Sequence, residues 1–157
     1  MEKAWQDVLD TFHYGIYLIT ITAGDSYNGM IASWVTQCSH EPALVAVAIR
    51  NNRLSHSQIS SSGKFTINVL PEDFLDSINN FKMPDWRKKF DGLDFNLSPG
   101  GNPVLGQALG YLDCIVEQTV RTGDHTLFIT RVQSGEVNNP GTSLSTKKYA
   151  HAYRGER

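Results

Sequence analysis

The sequence lacks most of the features that mark common catalytic and binding classes. Cysteine appears only at Cys38 and Cys114, far apart and with no C-x-x-C pair, so both read as reduced thiols of a cytoplasmic protein. The five histidines, at 13, 40, 56, 125 and 151, show no metal-ligand spacing. Charge of one sign is missing too. Lys and Arg number 14 against 16 Asp and Glu, a net charge of −2, and the densest basic patch is Arg87, Lys88 and Lys89. A dedicated nucleic-acid binder would carry a basic stripe, so that class is not expected. Strongly apolar runs such as Ala43–Ile49 fall far short of the about 20 residues a membrane helix needs. Met1–Asp10 carries charges at 2, 3, 7 and 10 where a signal peptide would have an apolar core, so secretion and membrane insertion are not expected.

Nucleotide and hydrolase fingerprints are absent as well. Gly101 and Gly106 have the spacing of a phosphate loop, but Gln107-Ala108 follow where Lys and Ser or Thr are needed. No G-x-G-x-x-G follows a strand, and neither G-x-S-x-G nor H-E-x-x-H occurs. What is present is a chain of 157 residues, 40% of them hydrophobic, enough to bury the core of one domain spanning 1–157.

Its periodicities predict mostly strands. Trp5, Val8, Leu9 and Phe12 make one apolar stripe of a helix that Gly15 could stop. Ile16–Thr22 alternates as a strand and turns at Gly24-Asp25-Ser26. Met30–Ser39 reads as a second strand, polar enough to line something, and Ala43–Ile49 as a strand buried on both faces. Ser55 could cap a helix to about Ser61, ended by Gly63. Phe65–Leu70 predicts a strand, Phe74–Phe81 a helix, and Lys82–Pro103 a long loop of the kind that usually has a function. Leu109–Val120 and His125–Val132 predict two long strands, and Tyr149–Tyr153 a last short one. Six or seven strands, mostly contiguous, with three short helices favour a mainly β antiparallel barrel over a doubly wound parallel sheet.

Three segments recur in a known order. They are Asn28-Gly29-Met30-Ile31-Ala32-Ser33-Trp34-Val35-Thr36-Gln37-Cys38-Ser39 before Glu41-Pro42; Asn51-Asn52-Arg53-Leu54-Ser55-His56-Ser57-Gln58-Ile59, closing in Ser62-Gly63-Lys64-Phe65-Thr66-Ile67-Asn68-Val69-Leu70; and Gly123-Asp124-His125-Thr126-Leu127-Phe128-Ile129. Together they resemble the flavin reductase-like family of FMN-binding split barrels, which includes flavoredoxins and flavoprotein domains fused to rubredoxin. The likeness runs from about Phe12 to Tyr153. It implies a mainly β Greek-key split barrel with short helices that pairs as a homodimer, FMN held near the subunit boundary, and electrons passing from NAD(P)H, or a protein donor, through the flavin. The acceptor would be free flavin or a partner protein.

The resemblance also implies a site. Ser55 and the helix start behind it, with Arg50 or Arg53 and Asn51 or Asn52, would surround the flavin phosphate, where amides, cations and a helix dipole suit a dianion. His56 and Lys89 would join that pocket. Ile31, Ala32, Ser33 and Trp34 would meet the ribityl chain, and Cys38 and Ser39 would border the isoalloxazine ring. His125, after the Gly123-Asp124 turn, would stand at the open face of the flavin and position a nicotinamide. Two departures are visible: Glu41-Pro42 supplies one proline where many members have two, and Arg53 stands where a small polar residue is common. An FMN electron carrier that does not oxidise NAD(P)H uses the same residues, so that alternative stays open.

Each residue also has a plainer local use. Ser33, Thr36 and Ser39 could be the wet face of an edge strand, Asn51-Asn52 a turn, Ser55 a helix cap, Cys38 an inert buried thiol, and His56 and His125 structural. Arg87-Lys88-Lys89 could be a solvated charge run, and the Trp5 stripe belongs to a core or a dimer contact.

Overall fold

A computed structural model describes residues 2–149, and side chains from 4 to 147. The order is α1 (Glu2–Leu9), β1 (Tyr17–Ala23), β2 (Ser26–Ala32), β3 (Val35–Ser39), β4 (Leu44–Arg50), α2 (Leu54–Ser62), β5 (Lys64–Val69), 3-10 turns at Glu72–Lys82 and Trp86–Lys88, β6 (Phe95–Leu97), β7 (Pro103–Leu105), β8 (Gly110–Arg121), β9 (His125–Val137) and α3 (Thr146–Tyr149). Glycine settles two of the junctions. Gly24, at φ 64°, opens the two-residue turn between paired Ala23 and Ser26, and Gly63, at φ 71°, ends α2 with its N–H on the Ile59 carbonyl at 2.7 Å. The expected strand at Tyr149–Tyr153 begins inside α3 at Tyr149, and 150–153 lie outside the described residues.

Seven strands form one antiparallel sheet in the order β2-β1-β5-β8-β9-β4-β3. That order forces curvature. Laid flat, the sheet would hold β2 and β3 about 29 Å apart at about 4.8 Å per strand. Yet Ala32 and Val35 are joined by Ser33 and Trp34 alone, which reach at most about 11 Å. The sheet therefore curls until its two edge strands meet at that junction. The expected single strand Met30–Ser39 is thus two strands at opposite edges, broken at Ser33-Trp34.

Two packed clusters fill the fold. Ile19, Ile21, Val45, Val47, Ile49, Phe65, Ile67 and Phe128 line the sheet interior, while Ile16, Leu18, Leu70, Phe74, Ile78 and Phe81 bury the Glu72–Lys82 turn against β1 and β2. The Lys82–Pro103 segment is no open loop. Phe90, 5% exposed, sits edge-on to Phe81, Tyr27 and Phe95 at 5.3–6.3 Å, and this aromatic cluster straps the segment across β2. A buried polar knot fastens its far end: the Asp113 carboxylate accepts hydrogen bonds from Ser98, Thr66 and Ser134 hydroxyls and the Gly100 amide at 2.5–2.9 Å.

The Trp5 stripe differs from expectation. The helix ends at Leu9, its last turn closed by Thr11 and Phe12 amides on the Val8 and Leu9 carbonyls, so Gly15 does not stop it. Trp5, Val8, Leu9 and Phe12 are each about half exposed and belong to neither core cluster.

Candidate functional site

Helix α2 starts without a side-chain cap. Its N-cap residue is Arg53, whose side chain has no acceptor to offer the first-turn amides. Ser55 is not the cap that the sequence suggested. It lies one residue inside the helix, 3% exposed, with its hydroxyl on Met30 Sδ at 2.8 Å, and so ties α2 to β2.

Lys89 reaches this corner from the strap, 60 residues away in sequence from Gly29. Phe90 anchors the backbone, and the half-buried Nζ donates to the Gly29 carbonyl at 2.8 Å and to Asn28 Oδ1 at 3.1 Å. Asn28 in turn donates to Gln58 Oε1 of α2 at 2.7 Å, which fixes the strand, the strap and the helix to one another. Burial, and then the Arg53 charge, hold the Lys89 ammonium below the ordinary lysine range. Two cations and an uncapped helix start thus converge on β2. Like charges so placed are costly unless an anion lies between them. Two of the three Nζ hydrogens are committed to protein, which leaves the third for such a ligand.

A second group forms where β4 ends beside the β8–β9 turn. Arg50 pairs across the ladder with His125. His125 Nδ1 lies 2.6 Å from Asp124 Oδ1, so the carboxylate, an acceptor, fixes the hydrogen on Nδ1 and leaves Nε2 as the working nitrogen. That hydrogen bond, the His125 charge and nearby Arg50 hold the Asp124 carboxyl below its usual range. The Trp34 indole lies over the imidazole with ring centroids 4.7 Å apart, and Tyr14 flanks Trp34 at 6.3 Å. Trp34 is 48% exposed, so the junction of the sheet edges presents an aromatic shelf to solvent.

The structure gathers many of the expected residues and separates others. Ile31, Ala32, Ser33 and Trp34 run from the cationic corner to the His125 shelf. Arg53, Ser55 and Lys89 frame the corner; Arg50, Asn51, His56 and His125 frame the turn. The Asn51 side-chain amide is engaged at both ends there, donating to the Gly123 carbonyl and accepting from Thr126, and Asn52 is exposed. Cys38 and Ser39 fall elsewhere. Ser39 pairs with Leu44, six residues along β4 from Arg50, about 20 Å of strand rise. Cys38 is exposed rather than buried. Two hollows, of about 370 and 400 Å³, lie beside α2 and β3, and no Lys or Arg lines either.

Residues that sequence reasoning passed over complete the frame: Asn28, Gln58, Asp124 and Thr126. Asn28 and Thr126 stand inside the recurring segments, but their hydrogen-bond partners are 30 to 75 positions distant, and no local pattern shows that. Among the described residues there is no group of three metal-ligating side chains and no helix long and apolar enough to cross a membrane.

Known proteins resemble this chain in sequence and in fold. The flavin reductase like domain matches residues 9–153. The chain belongs to the flavin reductase-like family. The high molecular weight rubredoxin of Moorella thermoacetica is 36% identical over 151 residues, covering 94% of this chain and 66% of that protein. Diflavin flavoprotein A 1 of a Synechocystis species is 31% identical over 126 residues, covering 78% of this chain and 22% of that protein. The chain thus spans less than two thirds of either relative. Among solved structures, the flavin reductase PheA2 superposes with a TM-score of 0.80 at 27% identity, covering 92% of both chains.

Proposed function

We propose that this chain is an FMN-binding oxidoreductase of the cytoplasm that takes electrons from NAD(P)H and passes them to free flavin or an acceptor protein. The observation that carries the reading is the convergence of Lys89 and Arg53 on the uncapped start of α2. A phosphate monoester fits that donor set: two cations, the Leu54 and Ser55 amides that no side chain caps, and the positive end of a helix dipole. Bound FMN would supply the redox chemistry, accepting a hydride and releasing electrons onward.

The chain's own residues bind and orient. Lys89 and Arg53 neutralise the phosphate, with Arg50 and Asn52 nearby. The broken strand at Ile31–Trp34 offers backbone groups to the ribityl chain, since Ser33 and Trp34 lie outside both ladders they connect. His125, its Nδ1 held by Asp124, points Nε2 toward a nicotinamide amide and holds the dihydropyridine against the flavin. Productive transfer needs reacting atoms at about 3–3.5 Å, and no proton need move at the enzyme. The half-exposed Trp5, Val8, Leu9 and Phe12 face, which no described part of the chain covers, suits contact with a second copy.

The test is an absorbance spectrum of the purified protein with FMN, then with NADH or NADPH, all without oxygen. A shifted, protein-bound flavin band that bleaches with either nucleotide is the expected result. A bound band that persists with both would identify the electron carrier. Absence of bound flavin would refute the proposal.

A further inference from the structure

One chain of hydrogen bonds crosses from α2 to the turn that carries His125. Asn51 Nδ2 donates to the Gly123 carbonyl at 3.2 Å, and the Asn51 amide N–H donates to the Asp124 carbonyl at 2.9 Å. Thr126 Oγ1 donates to Asn51 Oδ1 at 2.7 Å and lies 2.8 Å from His56 Nε2. Residues 123, 124 and 126 are therefore all held from 51 and 56, and His125 sits between them.

The polarity of this chain follows from a single group. The Gly123 carbonyl only accepts, so the Asn51 amide must turn its NH₂ toward it. Oδ1 then faces Thr126, whose one hydroxyl hydrogen goes to it. The Thr126 oxygen is left as an acceptor, so His56 must carry its hydrogen on Nε2. The ring is seated edge-on against fully buried Phe128, with centroids 5.2 Å apart.

We propose that His56, Thr126 and Asn51 form a polarised hydrogen-bond chain that fixes the Gly123–Thr126 turn and aims the His125 imidazole. His56 is a positioning residue, not a ligand of the flavin phosphate. The inference rests on the reading of His125 as the nicotinamide-facing group, and it deepens that reading.

The test has two arms. In the full chain with ¹⁵N-labelled histidine, long-range ¹H–¹⁵N correlation should show His56 as the Nε2–H tautomer. Thr126→Val should shift the His125 ring signals, and Thr126→Ser should restore them. In the FMN-loaded protein, Thr126→Val and His56→Leu should slow anaerobic bleaching by NADH or NADPH about 10-fold or more, because small misplacements of reacting groups are costly. FMN affinity should stay within about twofold, and Thr126→Ser and His56→Gln should recover most of the rate by keeping the hydroxyl and the N–H donor. Should Thr126→Val fail to fold, the pair of variants at partly buried His56 carries the comparison. A His56 found as Nδ1–H, His125 signals indifferent to Thr126→Val, or no rescue by Thr126→Ser would overturn the inference. Wild-type protein that neither nucleotide bleaches would instead refute the functional reading, while the spectroscopic arm still judges the chain.

Discussion

Replacing Lys89 by Met asks whether the cationic corner exists to hold a phosphate. Met keeps the apolar stem and removes the charge. The ammonium makes two hydrogen bonds to protein, at 2.8 and 3.1 Å, and pays for its position in burial and in repulsion from Arg53. Without a ligand these terms oppose one another, so the ligand-free melting temperature should change little. With FMN bound, one charge-assisted hydrogen bond to a dianion is lost, a contribution of about 1.5–3 kcal/mol. The FMN dissociation constant should then rise about 10- to 100-fold. Riboflavin, which lacks the phosphate, should bind wild type and Lys89→Met equally. The assay is fluorescence titration of both flavins at low and high salt, where the wild-type preference for FMN should shrink as salt screens the corner. Equal loss for both flavins, or loss for neither, would remove Lys89 from phosphate recognition.

Three further outcomes follow from other parts of the molecule. His125→Ala should leave FMN affinity nearly intact and slow bleaching by NAD(P)H, and a loss of folding instead would assign the imidazole a structural role. Asp113→Asn should destabilise the protein by about 3 kcal/mol, some 6–12 °C in Tm, because the new NH₂ faces donors: burial pushes the Asp113 carboxyl up, but hydrogen bonds from Ser98, Thr66, Ser134 and Gly100 outweigh it and hold it low. Burial raises the Cys114 thiol from 9.0 to about 11, so the fold favours the neutral form: that stability is complete below pH 9 and is lost as pH climbs to 11, about 2–3 kcal/mol that Cys114→Ala should abolish in urea titrations at both ends of the window.

The repetitive parts of the fold were legible because their causes are local. The β1–β2 hairpin follows from Gly24, the end of α2 from Gly63, and the β8–β9 pair from two long β-branched runs around Gly123-Asp124. Other features were not, for equally physical reasons. The break at Ser33-Trp34 has neither glycine nor proline to signal it; it arises because the curled sheet must pass from one edge to the other. The Lys82–Pro103 segment has no period, since Phe90 and Phe95 anchor it through aromatic contacts that periodicity does not register. Ser55 reads as a cap by type, but a cap must stand at the N-cap position, which Arg53 holds; Ser55 is already inside the helix, with Met30 as its partner.

The same curvature explains why the candidate site lies where it does. A ladder satisfies its own backbone groups, so a strand interior has little left for a ligand. Ladder pairing lapses at the junction of β2 and β3: Trp34 still accepts the Ala48 amide at 3.0 Å, but its side chain is released toward His125. The start of α2 and the tip of the strap fall beside the preceding strand because Asn28 ties Gln58 and Lys89 to it. Cation, helix terminus and aromatic shelf thus come from four stretches of sequence that the curl of the sheet brings toward one another. Residue type marks each as a candidate; the curl places them along one stretch of β2 and its junction with β3.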